Sequence, residues 1–204
     1  MLEPKLEVKT EDGYEGEDIK DLAKEYADLN GDSLVNVSAE ERKKTLVDYA
    51  LPKNIKKMQA DMEKYKIYYD KWFFESELHK SGAVKAVVDL LTKKGLTYEK
   101  EGAVWYKNKE VLTQKLLKEG KSQKYIDNLE LKDDVLIRQN GNPTYFTADI
   151  AYHKNKFDRG FTTLIDVWGA DHHGHVMRMK GAMDAIGYDG DKLNVVLMLS
   201  LIHI

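Results

Sequence analysis

The 204-residue sequence predicts an α/β fold: the second half of a doubly wound parallel sheet, carrying a mainly helical insertion. Three observations predict it. Residues 164–168 and 194–199 are short apolar runs, too short for helices, and read as strands, the first of them buried. Between them Val176, Met179, Met183 and Ile186 recur at helical spacing and stop at Gly187, a left-handed terminator. Ahead of both, residues 135–139 read as a strand, Asn140-Gly141-Asn142-Pro143 as a turn and residues 148–157 as a helix, so the order is βαβαβ. Residues 135–199 are therefore expected to form the half-domain. Residues 1–134 are expected to be a helical and connective region with a hairpin near 97–107, and residues 200–204 an unrelated tail.

Taken in order, residues 1–11 are polar and read as irregular. From Glu17 onward, Ile19, Leu22, Ala23, Tyr26 and Ala27 form a helical stripe. Ser38 with Glu41 three residues later is a capping-box signature. The helix it opens carries Leu46, Val47, Tyr49 and Ala50 and is expected to end or kink at Pro52. A further stripe follows at Ile55, Met58, Met62 and Tyr65. Such stripes read as core packing rather than ligand surface. Residues 68–74 are rich in aromatics. Ser81 is expected to cap a helix bearing Val84, Val87, Val88 and Leu91, stopped by Gly95. Residues 97–107, centred on Glu101-Gly102, read as a hairpin whose aromatics serve packing rather than base stacking. Residues 108–134 are lysine-rich and helical in character, with Val111, Leu112, Leu116, Leu117, Tyr125, Ile126 and Leu129. Two readings stand there: a solvated excursion, or a phosphate-contacting surface through Lys115, Lys118, Lys121 and Lys124.

Composition bounds the function. Hydrophobic residues are 42% and charged residues 33%, which suits a globular core rather than disorder. Lysine plus arginine number 32 against 35 acidic residues, a net charge of −3 that does not advertise nucleic-acid binding, although a local basic surface is compatible with it. The absence of cysteine excludes disulfides and cysteine-ligated metal. No signal peptide or membrane-length apolar run is visible, so the expectation is a cytoplasmic protein without a membrane partner.

The chemistry gathers between Tyr145 and His175. Residues 169–175 lie between a strand and a helix, where an open parallel sheet places its ligand crevice. The following helix offers free amides and a positive dipole end, suited to phosphate or ribose hydroxyls. Tyr145 and Asp149 are four apart and would share one helix face. A carboxylate there accepts a bidentate pair from a guanidinium, and the ring supplies a wall or a cation–π contact. The plainer reading of this pair is a surface or capping contact. Asp171, His172, His173 and His175 also lie within five residues, which admits a metal site.

At these residues a resemblance becomes specific. Pro143-Thr144-Tyr145-Phe146-Thr147-Ala148-Asp149-Ile150-Ala151-Tyr152-His153 and Val167-Trp168-Gly169-Ala170-Asp171-His172-His173-Gly174-His175-Val176 resemble the catalytic domain of arginyl-tRNA synthetases. The likeness extends to Tyr69-Asp70-Lys71-Trp72-Phe73, to Gly102-Ala103-Val104-Trp105-Tyr106-Lys107 and to Asp12-Gly13-Tyr14-Glu15-Gly16-Glu17-Asp18-Ile19, with a weak patch over residues 108–134. It implies a class I enzyme with a Rossmann-like sheet. Such an enzyme binds arginine, ATP (with Mg2+ accompanying it) and tRNA(Arg), and forms arginyl-adenylate before transfer to tRNA. By position it implies an arginine pocket of Tyr145, Asp149 and His172, and ATP contacts at Gly169, Asp171 and His175. His153 would line the same crevice, and His173 would be structural. No residue is assigned a directly catalytic or metal-binding role.

The sequence also departs from that pattern. Two motifs, a His-x-Gly-His type expected ahead of this region and a Lys-Met-Ser-Lys-Ser-like loop expected after it, are both read as missing from the chain. The anticodon-binding domain expected further on is missing as well. Residues 199–204, Leu199-Ser200-Leu201-Ile202-His203-Ile204, look like sequencing-adapter read-through. The expectation is therefore an internal piece of a synthetase that is inactive alone. The alternative is an incompetent fragment, at best a weak arginine or nucleotide binder. A more distant alternative is a manganese phosphoesterase using Asp171-His172-His173, which would need further metal-binding aspartates upstream.

Overall fold

The computed structural model describes residues 16–198. The chain divides into two compact units between Trp72 and Phe73.

The first unit is a pair of helices, α1 (Glu17–Asn30) and α2 (Ala39–Lys64). Ser38 caps α2 as its sequence indicates, its hydroxyl accepting the Glu41 N–H at 3.1 Å. Pro52 does not end the helix: α2 runs through it unbroken. An internal proline costs about 3 kcal/mol. Contacts to α1 on either side of it offset that cost: Tyr49 meets Tyr26 edge-on at 5.0 Å, and Lys53 bonds Glu25 at 2.5 Å. No residue of either helix is buried, so the apolar stripes expected to be core are not. Among the described residues, the two helices share one seam and no further layer of the unit covers their outer faces.

The second unit contains α3 (Glu75–Lys80), α4 (Ala83–Lys93), β1 (Thr97–Lys100), β2 (Ala103–Tyr106), α5 (Asn108–Lys118), α6 (Gln123–Asp127), β3 (Asp134–Ile137), α7 (Tyr145–Asp158), β4 (Leu164–Gly169), α8 (His173–Ile186) and β5 (Leu193–Met198). Ser81 closes α3 rather than opening α4; its hydroxyl donates to the Leu78 carbonyl, and left-handed Gly82 precedes α4. The expected hairpin is present. Lys100 faces Ala103 across the turn, and Glu101 and Gly102 both take positive φ (53° and 73°), the backbone a tight two-residue hairpin requires.

The sheet differs from expectation. β3 does not join a parallel sheet; it pairs antiparallel with β2, giving a three-stranded sheet in the order β1-β2-β3. Only β4 and β5, linked through α8, are parallel, in register from Leu164↔Leu193 to Gly169↔Met198. Three parallel strands are thus reduced to one β–α–β unit, and the Rossmann-like half-sheet appears only to that extent. The reason is local. The chain folds back on the outer edge of β3: Thr144 N–H donates to Leu136 O, Arg138 N–H to Asn142 O, and the hydroxyls of Thr144 and Thr147 to Val135 O and Leu136 O. That edge is already satisfied, so no parallel strand is needed there.

One core fills the unit. Val87 and Leu91 of α4, Tyr106 of β2, Leu136 of β3, Ile150 of α7, Met179 and Met183 of α8 and Leu193 of β5 are all fully buried within it. The boundary expected between residues 134 and 135 falls inside this core, because β2 and β3 pack with α7 and α8. β4 is not buried on both faces either: Leu164 and Asp166 point inward, while Ile165 and Val167 are each 68% exposed. The tail at 199–204 and the matching residues 12–15 lie outside the described residues. Among the described residues, no helix is long and apolar enough to cross a membrane.

Candidate functional site

α7 begins at a genuine cap: Thr144 accepts the Thr147 N–H from an extended backbone. Its inner face, Phe146, Ile150 and Ala151, is buried in the core. Tyr145 and Asp149 therefore share the opposite side, as their spacing indicates. Asp149 lines a cavity of about 160 Å³ together with Phe73, Glu75, Leu78, Ala148 and Tyr152. Phe73 and Tyr152 stack at 4.7 Å to form its aromatic wall. The cavity holds a side-chain terminus, not a nucleotide. Glu75 places a second carboxylate there, a residue the sequence reading missed. A glutamate directly after an aromatic run was the available signal.

Tyr145 does not line this cavity. It is 78% exposed, with the Arg138 guanidinium 5.9 Å from its ring.

β4 leads into a 3₁₀ turn, Ala170–His172, and α8 starts at His173, three residues ahead of Val176, where the apolar pattern begins. Gly169 has ordinary extended φ, yet a Cβ there would collide with the Asp171 carboxylate. What a Cβ would displace there is the end of an exposed side chain, not backbone. Asp171 and His172 are both exposed and face each other at 3.0 Å. His175 has turned inward. Its Nε2 is buried without a hydrogen bond, and the Asp149 Oδ2 stands 3.4 Å away. That separation is electrostatic contact, outside hydrogen-bond geometry. His175 also packs on Trp168 at 5.2 Å and edge-on to Phe146 at 5.5 Å. His175, rather than His172, is the histidine beside Asp149.

His153 does not line the crevice. It is 3% exposed, with Nδ1 at 2.7 Å from the Asp149 carbonyl and Nε2 at 2.5 Å from Asp166 Oδ2. Lys156 bonds the other Asp166 oxygen at 2.8 Å. Burial by itself raises the Asp166 carboxyl; the hydrogen bonds and charges of His153 and Lys156 outweigh it and hold the group below its ordinary 3.8. An aspartate at an inward position of an apolar strand was the sequence signal for this cluster.

A larger cavity of about 910 Å³ lies on the other side of α8, lined by Asn108, Lys115, Asp134, His173 and Arg178 among others. Asp149 is not among the residues that line it, and Arg178 and Lys115 of its walls are engaged by the fold. Arg178 grips Asp134 through two nitrogens. Lys115 bonds Asp184 at 2.7 Å, whereas Lys118, Lys121 and Lys124 are exposed. Among the described residues, no group of three or more histidine, aspartate or glutamate side chains is arranged to hold a metal ion.

No family model matches the chain. Individual proteins do. The chain is 50% identical over 188 residues to an arginine–tRNA ligase of Ruminiclostridium cellulolyticum, covering 92% of this chain and 30% of that protein. It is 53% identical over 189 residues to one of Caldanaerobacter subterraneus subsp. tengcongensis, covering 92% and 31%. The chain is homologous to one segment of the arginine–tRNA ligases. It spans less than a third of the length of these relatives. Among solved structures, a Campylobacter jejuni chain described as an arginyl-tRNA synthetase matches with a TM-score of 0.73 at 34% identity, over 96% of this chain and 39% of that one. A Thermus thermophilus arginyl-tRNA synthetase matches with a TM-score of 0.60 at 16% identity, over 93% and 37%, a likeness of fold. Contrary to the expectation that no such motif is present, His172-His173-Gly174-His175 of this chain does spell a His-x-Gly-His string. It sits at the β4–α8 turn, not upstream of Asp12 where the resemblance expects that motif.

Proposed function

We propose that this chain carries the amino-acid pocket and the ribose-facing turn of an arginine–tRNA ligase. In the intact enzyme, the arginine carboxylate attacks the α-phosphate of ATP. A carboxylate–phosphorus bond forms, the bond to the β-phosphate bridge breaks, and pyrophosphate leaves. The arginyl group then passes to tRNA(Arg). The work of this segment is positioning. Asp149 and Glu75 present carboxylates to a planar guanidinium, and the Phe73–Tyr152 wall supplies its apolar side. Lysine, a compact ammonium, cannot fill a two-pronged acceptor in the same way. Tyr145, exposed on the same helix face, would bound the ligand from outside the cavity. Asp171 would accept from ribose hydroxyls beside Gly169, with His172 and His175 at the junction of the two ligands. Mg2+ would arrive with ATP, and no side chain here is assigned to it.

The observation that supports this reading is the Asp149 carboxylate at the rim of a small aromatic-walled cavity, against His175 at the start of α8. Calorimetric titration of the full chain with arginine, then lysine, tests it. Arginine binding that is absent, or equal to lysine binding, ends the reading. The chain is also proposed to be a binder without turnover. Arginine-dependent pyrophosphate–ATP exchange above background would reject that.

A further inference from the structure

We propose that His153 is a positioning residue for Asp149, clamped as an imidazolium between the Asp149 carbonyl and the Asp166 carboxylate. Both ring nitrogens face oxygens: a carbonyl, which only accepts, and a carboxylate whose second oxygen already receives the Lys156 ammonium. A carboxylate held by a cation on one oxygen has no proton to give on the other. Each ring nitrogen must therefore donate, and the ring carries both protons. The group is buried, so the arrangement is fixed by geometry rather than averaged by water.

The clamp belongs to a closed frame. From the Asp149 backbone it runs through His153 to Asp166 on β4. Two residues along β4, Trp168 stands perpendicular to His153 at 6.3 Å and packs against His175 of α8. His175 returns to the Asp149 side chain at 3.4 Å. The backbone and the carboxylate of Asp149 are thus set by opposite sides of one frame. β4, which holds Asp166 and Trp168, also delivers Gly169. The distance between the carboxylate and the turn is thereby tied to the state of the His153 ring. This assignment rests on Asp149 being the guanidinium-binding carboxylate, but the frame itself does not need a ligand to be measured.

The experiment uses the full chain and His153→Gln, which cannot donate in two opposite directions, with Asp166→Asn as the second variant should the first not fold. Lys154→Met is the control: it removes a lysine contact elsewhere on α7, to Asp158, and leaves the clamp. Nitrogen-15 spectra report the protonation of the His153 ring. The nuclear Overhauser contact between the His175 ring and the Asp149 methylene reports the frame, and calorimetry reports arginine affinity. Two protonated His153 nitrogens are expected in the parent chain. The clamp variant is expected to lose the His175–Asp149 contact and to bind arginine at least about tenfold more weakly. Lys154→Met is expected to lower the melting temperature with the contact and affinity kept. A clamp variant that melts lower but keeps both contact and affinity shows a merely structural cluster and overturns the proposal. A parent chain that does not bind arginine, with the contact still lost in the variant, overturns the arginine reading and leaves the positioning role standing.

Discussion

The two walls of the proposed site are built in opposite ways. α7 stands on buried side chains, and the Asp149 backbone carbonyl is held from behind by His153, which bonds Asp166 in turn. The turn after β4 is open: the Asp171 and His172 side chains are 78% and 59% exposed, and their one hydrogen bond is to each other. On the proposed reading, the difference matches what each wall would recognise. Distinguishing a planar guanidinium from an ammonium depends on fixed acceptor geometry, and fixed geometry requires buried support. Accepting from ribose hydroxyls tolerates a mobile carboxylate, so that wall needs only room.

The sharpest way to break the contrast is to remove a charge from each wall. Asp166→Ala leaves an imidazolium and an ammonium without their anion, and is expected to cost about 3–5 kcal/mol of stability in urea denaturation. Asp171→Ala is expected to stay within about 0.5 kcal/mol of the parent. Equal losses would show the two walls to be alike.

Ligand binding separates them next. Asp149→Asn removes a charge-assisted acceptor worth about 1.5–3 kcal/mol, so arginine affinity in calorimetry should fall by roughly ten- to a hundredfold. Asp171→Asn should leave arginine affinity unchanged.

pH sharpens the comparison through Asp166. Its folded-state pKa is lowered, so its contribution is fully present above 3.8 and is lost as pH falls through the lower folded value. Asp134 has the opposite sign. Burial raises it despite Arg178, so its ionised form weighs against the fold and protonation relieves it as pH falls through its raised value. Stability measured downward from neutral pH should therefore lose its acid limb in Asp166→Asn and keep it in Asp171→Asn.

The smallest effect is steric. Gly169→Ala pushes aside an exposed carboxylate rather than backbone, so the melting temperature should barely move. The displaced Asp171 should weaken ATP binding without altering arginine binding, read by titrating each ligand separately.

Much of this was legible in the chain. The Ser38 cap, the Glu101-Gly102 hairpin, the Gly187 stop and the shared face of Tyr145 and Asp149 are all local: each depends on residues within about one turn of itself. The misreadings share the opposite character. Pro52 looked like a helix end because the contacts that carry α2 past it come from α1. β3 looked like a parallel strand because its alternation says nothing about which edge is already taken by Thr144 and Thr147. The stripes of α1 and α2 looked like core because periodicity defines a face without saying whether anything covers it.

The sequence by itself determined where helices and strands begin and stop, and which side chains share a face. Those outcomes follow from backbone sterics, capping and period, which act over a few residues. Only the tertiary structure decided which strand pairs with which, that His175 rather than His172 meets Asp149, and that His153 is a buried brace instead of a crevice residue. Such outcomes depend on which polar groups find partners from distant elements, and a buried donor or acceptor is satisfied by proximity in space, whatever its distance along the chain.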